Sequence, residues 1–206
     1  MHDSLFGDLT ARKLGPVLSA MTAVAGLLAG APAHAVVVYS GAVNIAIPDN
    51  IDGLYFNVVT GASGSDSLSV PGWDINPYTA GVGTFNLWGP TTQTWYNDLG
   101  SYVVGAGTLI DGSALYSRPG GGTNVGLQVS LNAPNLFGFR FTNESLGITN
   151  YGWVEITFGA SAGERAITGY AYETSGGGIM AGVVPEPASV ALMLAGLAGV
   201  GAAARR

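Results

Sequence analysis

The chain has 206 residues, no cysteine, 13 acidic against 7 basic residues and a formal net charge of −6. That length suits one domain with attachments, and the missing thiols exclude disulfides, CxxC redox centres, cysteine nucleophiles and Cys-ligated zinc. The acidic balance withholds the basic face that a nucleic-acid binder needs. Only 10% of the residues are charged, and much of the apolar excess lies at the two ends.

At the N-terminus, Arg12-Lys13, the apolar run Leu14 to Leu28 and Ala33-His34-Ala35 follow one another. They read as the charged, apolar and A-x-A parts of a secretory signal peptide, with cleavage expected after Ala35. About 15 apolar residues fall short of the roughly 20 that a permanent span needs. Gly15-Pro16, Gly26 and Gly30 would break a core helix in the same place. Residues 1–35 are therefore expected to hand the chain to the Sec export machinery.

Residues 36–182 read as one extracellular all-β domain, a β-sandwich or jelly roll. Between Val36 and Val184 lie 26 of the 33 glycines, so turns must be frequent. Runs between them alternate with period two: Leu127, Val129 and Leu131; Phe137, Phe139 and Phe141; Val154, Ile156 and Phe158. Further strands are expected within Val36 to Ile47, Leu54 to Val59, Thr84 to Trp88, Tyr102 to Val104 and Ala166 to Tyr172. No amphipathic helical window of convincing length is present. Gly176-Gly177-Gly178 is expected to open the linker to the C-terminal segment.

Asp49 and Asp52, in Pro48-Asp49-Asn50-Ile51-Asp52-Gly53, form an acidic turn that fails the EF-hand pattern. The turn is read either as Asx side chains bonding their own backbone or as part of a structural calcium site. Trp73, Trp88, Trp95 and Trp153 are candidates for stacking on sugar rings, with core packing as the alternative for each. Among them Trp153 is expected to face outward, because Val154, Ile156 and Phe158 claim the inner face.

Catalytic patterns fare poorly. Gly159-Ala160-Ser161-Ala162-Gly163 matches G-x-S-x-G, but both histidines, His2 and His34, and the single lysine, Lys13, fall within the expected signal peptide. Ser161 then has no base, and the segment joins two strand patterns where an elbow needs a strand and a helix. The same lack of histidine removes His-ligated zinc. Gly176, Gly178 and Ala181 imitate G-x-G-x-x-A without a following helix to aim at a phosphate. The ten carboxylates of the domain leave a two-carboxylate glycosidase open, although no E-x-D or D-x-D spacing places two acids side by side on a strand face. No catalytic residue is assigned.

The last segment, residues 183–206, has three parts: Pro185-Glu186-Pro187, the uncharged run Ala188 to Ala204, and Arg205-Arg206. At 1.5 Å per residue the run spans roughly 25 Å, enough for a thin membrane crossing. The terminal arginines favour the cytoplasmic side. The domain is thereby expected on the opposite side of that membrane from the cytoplasm.

This tail resembles the PEP-CTERM sorting signal of Gram-negative bacteria. The resemblance implies a precursor cut by an exosortase-type membrane protease and delivered to the cell surface or the extracellular matrix, typically in a biofilm-forming species. Gly152-Trp153-Val154, Tyr170-Ala171-Tyr172-Glu173 and Ala181-Gly182 are similar to a pattern in exported PEP-CTERM proteins of unassigned activity, and bring no catalytic residues. The expected function is that of a non-enzymatic surface or exopolysaccharide-matrix protein. A lectin-like module that binds exopolysaccharide is the alternative, followed by a glycosidase. No cofactor is expected apart from the calcium of the acidic turn.

Overall fold

The computed structural model describes residues 36–79, 85–99, 101–117, 123–124, 129–161 and 163–184, all within the unit Ala35–Arg206. These residues form strands and turns and no helix. In chain order the strands are β1 (Val37–Tyr39), β2 (Ile45–Ala46), β3 (Tyr55–Phe56), β4 (Ser63–Gly64), β5 (Asn76–Tyr78), β6 (Asn86–Trp88), β7 (Gln93–Tyr96) and β8 (Val103–Val104). They continue as β9 (Leu109–Ile110), β10 (Leu115–Tyr116), β11 (Thr123–Asn124), β12 (Ala133–Asn143), β13 (Ile148–Phe158), β14 (Arg165–Glu173) and β15 (Ile179–Met180).

β12, β13 and β14 are long, and they form an antiparallel meander with Phe137 opposite Val154 and Val154 opposite Tyr170. β1 and β2 pair with β14, β7 and β8 pair with β12, and β10 pairs with β7, which makes an eight-stranded sheet. β11-β6-β5, β9-β15 and β3-β4 form smaller sheets. A bulge between Glu155 and Ile156 shifts the β13–β14 register, and there the Thr168 hydroxyl donates to Glu155 Oε1 at 2.7 Å.

Period-two alternation sends Phe137, Phe139, Phe141, Val154, Ile156, Phe158 and Ile167 to one face of the main sheet. There they pack with Phe56, Ile75, Phe85 and Leu87, contributed by or beside β3, β5 and β6. The Phe85 ring meets Phe158 edge-on at 5.1 Å and Phe137 at 5.5 Å. This is sheet-on-sheet packing, the β-sandwich expected from the sequence.

The opposite face corrects the expectation for Trp153. It is buried, at 3% exposure, in a second apolar cluster with Trp95, Val104, Ile110, Ala171, Ile179 and Ala181. Ile110 and Ile179 belong to the β9–β15 ladder, so a second cover lies over the face that alternation assigned to solvent. Gly138, opposite Trp153, makes the close approach achievable: a Cβ there would stand 2.9 Å from Ile110 Cδ1 and 3.0 Å from Trp95 Cβ.

Several expected strands are shorter than their patterns. Val36 to Ile47 divides into β1 and β2, with Gly41 at φ 72° between them. Of the Leu127 to Leu131 run, Val129 to Leu131 is not strand and leads into a turn with Asn132 at φ 54°; Leu127 lies outside the described residues. Gly176-Gly177-Gly178 does not open a terminal linker. It joins β14 to β15, and Ala181 beyond it is fully buried. Among the described residues no helix is long and apolar enough to cross a membrane. The expected signal peptide with Ala33 and Ala35, and Pro185 to Arg206 of the tail, lie outside those residues.

Candidate functional site

The tryptophans of the sequence analysis separate into two pairs. Trp95 and Trp153 are core residues, whereas Trp73 and Trp88 are half-buried and stack on one another, ring centroids 4.8 Å apart and planes tilted by 52°. Tyr55, from β3, adds its edge to Trp73 at 4.8 Å. Three aromatic rings from separate stretches of chain thus form one partly exposed patch.

Local sequence explains how Trp73 is presented. Val70-Pro71-Gly72-Trp73 forms a turn in which the Trp73 N–H donates to the Val70 carbonyl at 3.2 Å, with Gly72 at φ 65°. Proline then glycine at the two central positions is the type II signature. The turn is braced by buried Asn57, whose Nδ2 donates to the carbonyls of Pro71 at 3.1 Å and Gly72 at 2.6 Å.

Behind the patch lies Asp74, at 1% exposure. Its Oδ2 accepts the Val58 N–H at 2.8 Å, while Oδ1 has no hydrogen-bond partner. Desolvation pushes its pKa up to about 7; the Val58 bond opposes this and the Glu144 carboxylate adds to it. Two acids with unlike environments are the raw material of a glycosidase pair. Asp74, however, is shielded from any sugar arriving from solvent.

The acidic turn is committed to the protein. Asp49 Oδ1 lies 3.4 Å from Arg165 Nη2 and accepts the Thr79 hydroxyl at 2.6 Å. Asn50 Oδ1 accepts the Gly53 N–H at 2.8 Å, the Asx bonding of the simpler reading. The Asp52 carbonyl receives Asn76 Nδ2 at 2.8 Å. Among the described residues no three His, Cys, Asp or Glu side chains are grouped to hold a metal ion.

Ser161 sits in the turn between β13 and β14, where its carbonyl accepts the Glu164 N–H at 3.2 Å. A strand follows it, so the strand-to-helix geometry of a nucleophile elbow is not formed. The Gly176 to Gly178 loop is held by buried Glu173, which accepts the N–H groups of Ser175 at 2.7 Å and Gly177 at 2.5 Å. The loop leads into β15, with no helix N-terminus for a phosphate.

Sequence reasoning named Trp73 and Trp88 but missed Tyr55. Its only signal was the short aromatic pair Tyr55-Phe56, one ring for the core and one for the patch.

No curated protein and no solved structure matches the chain. Residues 183–206 match the family model described as the PEP-CTERM protein-sorting motif. The chain therefore carries a PEP-CTERM sorting motif behind its β-rich domain, the mark of an exosortase substrate exported to the cell surface.

Proposed function

We propose that the mature protein is a non-enzymatic component of the cell surface or exopolysaccharide matrix, left outside the cell once the exosortase has removed its tail. The observation that carries this reading is the sorting motif at residues 183–206. Prolines fix φ and disfavour helix, a sequence preference that suits Pro185-Glu186-Pro187 to recognition by a protease at the membrane face. The domain adds a glycine-rich, weakly charged and histidine-free module, consistent with a passive role. Intact-mass measurement of the surface protein tests it. The expected product begins at Val36 and lacks Ala188 to Arg206, and Glu186→Ala leaves an uncut precursor in the inner membrane. Recovery of the whole tail outside the cell, or normal processing of the Glu186 variant, overturns the reading.

A second reading, carbohydrate binding, is favoured by the Tyr55–Trp73–Trp88 patch. Aromatic faces offer apolar area at low entropic cost, and their polar edges stay wet. The patch replaces the outward Trp153 of the sequence analysis as the place to look.

A further inference from the structure

On the side of the main sheet away from the phenylalanine core, at the β12–β13 hairpin end, lies a cleft of about 480 Å³. Thr91, Gln93, Arg140, Thr142 and Thr149 give it polar groups beside Pro90 and Phe141. Arg140 is held in place from two directions. Its Nε donates to Gln93 Oε1, and its guanidinium carbon lies 4.3 Å over the Tyr116 ring. Tyr116 is itself fixed, because its hydroxyl donates to the Asp111 carbonyl at 2.8 Å.

What Arg140 lacks is an anion. Among the described residues the one ion pair is Arg165 with Asp49, and among the same residues neither Nη1 nor Nη2 of Arg140 meets an acceptor. The Asp111 carboxylate, on the Tyr116 side, is taken by the hydroxyl and N–H of Ser113. Nearby hydroxyls are also free to bond: those of Thr142 and Thr149 have no hydrogen bond within the described protein, and Thr91 Oγ1 accepts only a long 3.3 Å contact from the Thr142 N–H. A guanidinium with Nε engaged keeps its end-on pair of N–H groups for a carboxylate.

We propose that this cleft is a subsite for a carboxylate-bearing sugar, a uronic acid unit of an acidic polysaccharide, with Arg140 binding the carboxylate and Thr142 and Thr149 bonding ring hydroxyls. The number of charges selects the class. One oriented cation matches one carboxylate per sugar unit, whereas a phosphate-rich polymer calls for several. The volume lies within the range of small-ligand sites. The subsite shares no lining residue with the aromatic patch and does not depend on how the protein is sorted, so export and uronate binding succeed or fail independently.

The test uses the full-length chain in detergent and calorimetric titration with tetragalacturonate, its methyl ester, the neutral oligosaccharide maltotetraose and inorganic phosphate. Tetragalacturonate is expected to bind, and the methyl ester and maltotetraose to bind more weakly by about tenfold or more, since charge-assisted hydrogen bonds are the stronger kind. Arg140→Gln should lower affinity by about tenfold or more, because its charge-assisted bonds are lost, and Leu68→Ala, at an exposed side chain outside both the cleft and the aromatic patch, should leave it unchanged. Thr149→Val, a smaller perturbation, should weaken binding severalfold and serves if the Arg140 variant does not fold. The proposal is overturned by absence of tetragalacturonate binding, by equal binding of acid and ester, or by unchanged affinity in a folded Arg140→Gln protein. Phosphate binding that matches the uronate and depends on Arg140 also overturns it, in favour of a small-anion site.

Discussion

The guanidinium of Arg165, its side chain fully buried at the start of β14, lies 3.4 Å from the Asp49 carboxylate, whose side chain is 55% exposed. The pair is asymmetric in what it costs to break. Arg165 also donates to the Pro48 carbonyl at 2.8 Å and to the Thr79 hydroxyl, and lies 5.4 Å from the Phe85 ring centroid. Burial holds its pKa below the usual range, and Asp49 acts the other way. Asp49→Asn keeps an oxygen acceptor beside Arg165 and Thr79 at a half-exposed position, and is expected to cost about 1 kcal/mol. Arg165→Ala, which strips two acceptors and opens space beside Phe85, should cost about 3 kcal/mol or more. Urea unfolding of both variants measures the difference, and equal losses contradict it.

Because Asp49 already serves Arg165 and Thr79, millimolar calcium added to a chelated sample should leave the melting midpoint where it was. Ligands of the native state raise stability by mass action. A calcium-dependent rise that vanishes in Asp49→Asn would restore the ion-binding reading of this turn.

Gly138 is a packing requirement of the doubly covered sheet. The Cβ of Gly138→Ala would collide with Ile110 and Trp95 at the distances given above, and overpacking of this kind costs about 1–3 kcal/mol. Gly105 is the control: its Cβ would meet only Thr108 Oγ1 at 3.6 Å. Thermal unfolding should show Gly138→Ala lowered by several degrees and Gly105→Ala within about a degree, as about 1 kcal/mol shifts Tm by roughly 2–4 °C at this chain length.

Asp74 makes stability depend on pH. Its carboxyl titrates near 3.8 when unfolded and about 7 when folded, so between these values the native state holds a proton the unfolded state has lost. Stability from this group is full below about pH 4, declines as pH rises towards 7, and is level above it. At 1.36 kcal/mol per pKa unit the decline is on the order of 4 kcal/mol. Asp74→Asn retains an acceptor for the Val58 N–H and does not ionise. The wild type should lose stability relative to this variant between pH 4.5 and 7.5, measured by urea unfolding at both pH values. A constant difference would remove Asp74 as the cause.

The two tryptophan pairs should behave in opposite ways. Trp153→Ala empties a buried site and is expected to cost about 3–5 kcal/mol of stability. Trp88→Ala should change stability far less and weaken binding to neutral polysaccharide by roughly 1 kcal/mol, the scale of one aromatic contact. Pull-down with insoluble glucans beside thermal unfolding separates these. Full glucan binding by the Trp88 variant removes the patch as a sugar platform.

Much of this protein is legible along the chain because the relevant physics is local. The tail motif is contiguous, from Pro185 to Arg206. β12, β13 and β14 show period-two alternation over long stretches, and Pro71-Gly72 announces its own turn. The short strands were missed for the same reason: β9 and β15 have two residues each, too few to show a period, and pairing across the fold defines them. Alternation assigns residues to two faces of a sheet but does not say what covers each face. Trp153 was therefore expected in solvent and lies under the β9–β15 ladder. Nor does spacing reveal that Tyr55, Trp73 and Trp88 meet, or that Gln93, 47 positions before Arg140, holds a guanidinium that forms no ion pair among the described residues. The sequence by itself determined the export address and the β class, since both reside in contiguous patterns. Only the tertiary structure decided which side chains are buried and which remain without a partner, because burial and pairing are set by surfaces brought together from distant parts of the chain.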